Sequence, residues 1–249
     1  MISIKKILKL LLFAFLFSTV PGSLFAEGNT TNQSFNQAKK ILLKDVYSDH
    51  HTTFYCKSTF DEKKHVEHTG GYVPVKNNNR ANRLEWEHIV PAHAFGHSFP
   101  EWRDGHPSCV DSKGKSFKGR KCAEKVNHLF RYMQADMHNL VPAIGEVNGL
   151  RSNYSFAMIP GEDRRFGPVC DMEIKNRKTE PPADVRGDIA RTYFYMDNAY
   201  PGRGIISKKN RKLFEAWDKE DPIDEWERIR ERRIREIQGN ENVFVTEGG

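Results

Sequence analysis

Residues 83–93, RLEWEHIVPAH, place two carboxylates, a tryptophan and two histidines around a short apolar step. Their alternation predicts a β-strand, and Pro91, which cannot donate to a strand ladder, ends it. Period two puts Leu84, Trp86 and His88 on one face and Glu85, Glu87 and Ile89 on the other. The adjacent Glu87 and His88 then lie at the strand end, where both can reach one metal ion or substrate. A half-buried strand with a surface Glu and His explains these eleven residues equally well.

The N-terminus has the layout of a secretory signal peptide. Three lysines precede an apolar run over residues 10–20, a Pro-Gly break and a short segment that ends in Ala26. We predict cleavage after Ala26, so residues 1–26 are the signal peptide and residues 27–249 form one domain, expected to be monomeric. No later stretch is apolar enough to span a bilayer. The prediction is a periplasmic or secreted protein without stable membrane association.

Cleavage removes three lysines and no acidic residue, which lowers the formal charge from +6 to +3. The mature chain is therefore only mildly basic, and any polyanion would be bound by a local patch. One such patch lies in a Gly-rich segment and contains Lys113, Lys115, Lys118, Arg120 and Lys121.

All four cysteines lie in the mature chain and include no C-x-x-C pair, so export favours two disulfides over a metal cluster. Of the three possible pairings we favour Cys109 with Cys122 and Cys56 with Cys170. The first would close part of residues 95–125, a long segment without clear periodicity.

Helical periodicity appears at both ends of the mature chain. An amphipathic helix with Ser34 as its cap is predicted from Phe35 to Val46. Further helices are predicted from Val126, over residues 184–200 and over residues 207–217. The last helix should begin at Asp221-Pro222 and bury an apolar arc composed of Ile223, Trp226, Ile229, Ile234 and Ile237.

Residues 135–149, ADMHNLVPAIGEVNG, form a second informative stretch. Pro142 at a first helical position and Gly149 beyond the end predict a short helix between them. Asn139 and Asn148 flank this helix, and from the residues alone both are interpreted as structural caps.

Four segments of the chain, in order, resemble the bacterial endonuclease I family of periplasmic and secreted nucleases. They are residues 47–51 (YSDHH), 85–92 (EWEHIVPA), 136–148 (DMHNLVPAIGEVN) and 190–196 (ARTYFYM). The likeness covers nearly the whole mature chain, and the two central segments are long enough to be specific.

The resemblance implies an α+β domain around a ββα-metal motif, in which two strands and a helix hold one divalent ion. It implies that His88 is the general base, that Glu87 and Asn148 bind the metal, and that Arg120 contacts the cleaved phosphate. Asn148 would then be a ligand and not a cap. Hard oxygen ligands suit Mg²⁺, with Mn²⁺ or Ca²⁺ as substitutes.

The expected function is a largely sequence-nonspecific endonuclease that contacts DNA, and also RNA, through phosphates. The alternative is a secreted metal- or polyanion-binding module without catalysis. A zinc hydrolase is a weaker alternative because Glu87-His88 does not form H-E-x-x-H.

Overall fold

A computed structural model describes residues 27–76, 79–161 and 163–247. The predicted signal peptide lies outside these residues. No helix in the described ranges is long and apolar enough to cross a membrane.

In the described residues, ten helices accompany short strands, and the largest sheet has three strands. The helices are α1 (Phe35–Ile41, continued by a π-helical segment over Leu42–Val46), α2 (Ala92–Gly96), α3 (Pro100–Arg103), α4 (Arg120–Val126), α5 (His128–Ala135), α6 (Gly145–Arg151), α7 (Arg186–Ala199), α8 (Lys208–Glu220), α9 (Glu225–Gln238) and α10 (Val243–Thr246). The strands are β1 (Thr59–Phe60), β2 (Val66–Glu67), β3 (Leu84–His88), β4 (Leu140–Ile144), β5 (Ser155–Phe156), β6 (Glu173–Lys175) and β7 (Lys178–Glu180).

The centre of the fold is a ββα unit. Strands β3 and β4 pair antiparallel, with Leu84 opposite Ile144 and His88 opposite Leu140, and α6 follows β4 directly and packs on both strands. The buried apolar residues around this unit form one hydrophobic core. The predicted α+β class, the ββα unit and the strand that carries Glu87 and His88 are confirmed.

The prediction of a helix between Pro142 and Gly149 is partly wrong. Pro142 lies inside β4, opposite Trp86, and the helix begins only at Gly145. The carbonyl of Pro142 accepts a hydrogen bond from the amide of Phe54, on the side away from β3. Because the N and C=O of one strand residue point to the same side, the missing N–H of Pro142 removes no bond from the β3–β4 ladder.

The predicted terminal helices are present, but their caps and buried faces do not all match the predictions. Ser34 caps α1 as predicted, accepting from the Gln37 amide at 3.2 Å. The last helix, α9, is capped by Asp224 and not by Asp221. Its buried face is largely polar and consists of Glu227, Glu231, Ile234 and Gln238, whereas Ile237 is 42% exposed. Which face of α9 is buried depends on polar partners elsewhere in the fold, such as Arg191, which donates a hydrogen bond to Glu227, and not on the apolar residues alone.

Both favoured disulfides are present, Cys56–Cys170 and Cys109–Cys122. The segment expected to lack periodicity, residues 95–125, contains the end of α2, all of α3 and all but the last residue of α4. Arg120 is the first residue of α4, with Gly119 as its N-cap, so it lies on a helix and not in the loop itself. The bridge through Cys122 therefore secures the first turn of the helix that carries Arg120.

Candidate active site

A cleft of about 660 Å³ opens over the ends of β3 and α6. It brings together all four residues that the sequence predicted as a site, namely Glu87, His88, Arg120 and Asn148. They come from three separate elements: β3 supplies the first two, α4 supplies Arg120 and α6 supplies Asn148. The ββα unit and the disulfide-secured helix thus converge on one surface.

Glu87 is a buried carboxylate with protein contacts on one oxygen. Its Oε1 accepts from the Tyr55 hydroxyl at 3.2 Å and lies 3.0 Å from Nη1 of Arg151, which is itself 1% exposed. Burial raises the pKa of Glu87 to about 7, although Arg151 and Tyr55 act in the opposite direction. Arg151 and Tyr55 therefore offset only part of the free-energy cost of burying the negative charge of Glu87.

Asn148 is oriented by a carboxylate. Its Nδ2 donates to Oε2 of Glu85 at 3.1 Å, and Glu85 is fixed in turn by Arg80 and Arg83. Because a carboxylate can only accept here, the amide nitrogen of Asn148 must face Glu85. The carbonyl oxygen Oδ1 is then the atom that Asn148 can offer to a cation.

His88 is fixed in one tautomer. Its Nε2 lies 2.9 Å from the backbone carbonyl oxygen of Gln134. A carbonyl cannot donate, so Nε2 carries the proton and Nδ1 keeps its lone pair. Burial is the main cause that lowers the pKa of His88 to about 3, and the positive charge of Arg120 is the second. The imidazole is consequently neutral at physiological pH and can accept a proton at Nδ1.

Arg120 is held by the same residue that holds His88. Its Nε donates to the side-chain oxygen Oε1 of Gln134 at 3.2 Å. The guanidinium also lies 5.3 Å from the ring centre of Phe35, a distance suited to a cation–π contact. A fixed cation therefore lies in the cleft beside a neutral imidazole.

Other cationic side chains line the same cleft. Lys39 and Lys64 are among its lining residues, whereas the expected patch residues Lys113, Lys115, Lys118 and Lys121 are not. The cationic lining therefore comes from α1, the β1–β2 region, α4 and, through Arg151, α6. Of the sequence-predicted patch, only Arg120 lines the cleft.

The donors of the cleft fit a hard divalent cation. Glu87 offers a carboxylate whose negative charge its protein neighbours balance only in part, and Asn148 offers an amide oxygen. Both are oxygen ligands of the type that Mg²⁺ prefers. Within the described ranges, no group of three or more His, Cys, Asp or Glu is placed to hold a metal ion. A cation here would have two protein ligands and would keep its other positions for water and phosphate oxygens.

Sequence reasoning did not assign roles to Gln134, Tyr55 or Arg151. Each acts through contacts with residues distant along the chain, such as the 46-residue separation between His88 and Gln134. The one available signal was Gln134 itself, a polar residue next to Met133 on the apolar side of its helix.

Comparison with known proteins matches residues 23–248 to the Endonuclease I family model. A periplasmic deoxyribonuclease of Aeromonas hydrophila is 43% identical over 221 residues, covering 86% of this chain and 85% of its own length. Endonuclease-1 of Buchnera aphidicola from Acyrthosiphon pisum is 40% identical over 239 residues, 94% of this chain and 88% of its own. An extracellular ribonuclease of Bacillus subtilis is 33% identical over 127 residues, 44% of this chain and 43% of its own.

Proposed function

Because the chain belongs to the endonuclease I family, we propose that it hydrolyses phosphodiester bonds within DNA, with little sequence preference, after export to the periplasm or the medium. The names of three Aeromonas hydrophila relatives, one periplasmic and two extracellular deoxyribonucleases, support both the substrate and the location. The cationic cleft supports recognition through phosphates, which are the same at every base.

The observation that carries the proposal is the bond from His88 to the Gln134 carbonyl. It leaves Nδ1 of a neutral imidazole as a proton acceptor in a cleft that also contains a fixed cation. His88 removes a proton from the attacking water through Nδ1 as the new phosphorus–oxygen bond forms. Arg120 stabilises the negative charge that grows on the phosphate oxygens. The bond to the 3′ oxygen then breaks, and that oxygen takes a proton from solvent.

Glu87 and Asn148 would hold one Mg²⁺, with Mn²⁺ or Ca²⁺ as possible substitutes. When bound, the ion supplies positive charge that polarises the phosphate. The protein's own part is to keep both oxygen ligands oriented. Arg151 and Tyr55 fix Glu87, and Glu85 fixes Asn148.

We extend the proposed substrate to RNA. The partial likeness to an extracellular ribonuclease supports this extension, as does a cationic cleft, because DNA and RNA both carry the phosphates that such a cleft attracts. RNA cleavage by the purified protein, lost in the same variants as DNA cleavage, is the measurement that tests it.

A plasmid-nicking assay tests the proposal. The mature protein should nick supercoiled DNA with Mg²⁺, EDTA should abolish nicking, and His88→Ala should reduce the rate by about 10²- to 10⁴-fold while DNA binding persists. Cleavage that survives both EDTA and His88→Ala would sink the mechanism. Binding without any cleavage by the wild-type protein would support the alternative of a secreted binding module.

A further inference from the structure

His93 and His97 form a pair outside the proposed catalytic group. His93 lies in α2 and His97 is its C-cap residue, so the two are four residues apart on one helical turn. Their Nε2 atoms are joined by a 2.9 Å hydrogen bond, in which one Nε2 donates and the other accepts; the ring planes are inclined at 71°, and both side chains are exposed. Neither residue was predicted from the sequence to belong to the site.

Trp102 packs against α2 close to both histidines. A Cβ atom on Gly96 would lie 2.4 Å from the Trp102 ring, so the indole packs directly on the α2 backbone between the two histidines. The ring centres of His93 and His97 lie 6.1 and 5.9 Å from that of Trp102. Only glycine permits this approach, and the indole limits the side-chain conformations open to both imidazoles. The two rings are thus held close together, and a metal ion would take the place of the hydrogen bond between them.

We propose that His93 and His97 together bind one divalent transition-metal ion of the Cu²⁺ or Ni²⁺ type. Residues four apart on a helix face the same side, so two imidazole nitrogens can reach one ion. With metal–nitrogen bonds of about 2.0–2.1 Å, a 2.9 Å separation corresponds to an angle of about 90° at the metal. That angle suits the tetragonal geometry of Cu²⁺ and Ni²⁺ better than the tetrahedral geometry of Zn²⁺.

Metal binding would replace the hydrogen bond between the two rings: the donating ring changes tautomer, so that both Nε2 atoms are unprotonated and each ring keeps its proton on Nδ1. Burial lowers the pKa of His93, and the charges of His97 and Arg177 lower it further, which favours the neutral ring. Imidazole nitrogens select against Mg²⁺, so this site and the Glu87–Asn148 pair differ in the ions they take. His93 also lines the cleft, which places the bound ion at the cleft edge.

The test is a Cu²⁺ titration of the mature protein in excess Mg²⁺, followed by tryptophan fluorescence. Because Trp102 lies about 6 Å from both imidazoles, Cu²⁺ should quench it with saturable one-to-one stoichiometry. His97→Ala should weaken binding by more than about tenfold, roughly 1.4 kcal/mol. His128→Ala, at an exposed histidine outside the cleft lining, should bind like the wild type.

Electron paramagnetic resonance of the copper complex provides a second readout. The wild type should show two nitrogen ligands, and Trp102→Phe should keep the signal while losing much of the quenching. Circular dichroism verifies that each variant is folded. The proposal is overturned if the wild type shows no saturable binding, if the signal contains fewer than two nitrogens, or if the folded His93→Ala/His97→Ala double variant binds Cu²⁺ as tightly as the wild type. None of these outcomes depends on nuclease activity.

Discussion

His88 and Gln134 are joined by a 2.9 Å hydrogen bond from the imidazole Nε2 to the backbone carbonyl, while the side chain of Gln134 accepts from Arg120. One buried residue thus positions both a proton acceptor and a cation. The two contacts use different parts of Gln134, so mutation can separate them.

Gln134→Met should remove the contact to Arg120 and keep the carbonyl that holds His88. We expect the cleavage rate to fall roughly 10- to 100-fold because the guanidinium loses its fixed position. Stability should change little, since Nε2 of Gln134 has no hydrogen-bond partner among the described residues. The double variant Arg120→Met/Gln134→Met should be hardly slower than Arg120→Met alone. Steady-state rates on plasmid check this, and an unchanged rate in Gln134→Met would contradict it.

Glu85→Gln should weaken the orientation of Asn148. The amide introduced at position 85 can both donate and accept, so Asn148 can turn either its nitrogen or its oxygen toward it. The Oδ1 atom of Asn148 is then less often available to a cation. We expect the Mg²⁺ concentration for half-maximal cleavage to rise about tenfold, with activity restored at high Mg²⁺. Glu62→Gln, at an exposed carboxylate, is the matched control. If both variants show the wild-type Mg²⁺ dependence, Glu85 has no such role.

The Cys109–Cys122 disulfide should be needed for full activity because it closes on the first turn of α4, two residues from Arg120. Cys109→Ser/Cys122→Ser should lose about 3 kcal/mol of unfolding free energy, as expected for a loop of this size. At a temperature where the variant remains folded, its plasmid cleavage should be slower. Reduced wild-type protein that cleaves as fast as oxidised protein would disprove the dependence.

Stability should fall on acidification because His138 is buried. Burial lowers the pKa of His138 to about 4, below the value of about 6.5 in the unfolded chain. Between these two pH values the folded state binds fewer protons than the unfolded state. The stability that depends on a neutral His138 is therefore fully present above pH 6.5 and is lost as the pH falls toward 4. The loss amounts to about 3 kcal/mol.

Urea unfolding across this pH range measures the effect. His138→Gln should show a shallower decline than the wild type, because the replaced side chain does not titrate. An identical slope for the two proteins would show that other groups cause the acid sensitivity.

The amino-acid sequence determined the features that depend on neighbouring residues. Alternation and Pro91 were enough to predict β3, and helical spacing predicted α1, α7 and α8. The cysteine count and the expected export predicted two disulfides and left three pairings open, of which the favoured one forms. The motif resemblance identified the four side chains that meet in the cleft, and their catalytic and metal-binding roles stay predictions.

The tertiary structure decided what depends on partners distant in the chain. Pro142 reads locally as a helix start, yet it lies in β4 because its missing N–H falls on the side away from β3. The buried face of α9 is polar because Arg191, on α7, reaches Glu227. Likewise, only folding brings the Gln134 carbonyl to His88. The spacing of apolar residues predicts which face of a helix or strand is buried. A buried hydrogen bond needs two residues that are distant in the sequence, and the residues around one partner do not show where the other partner is.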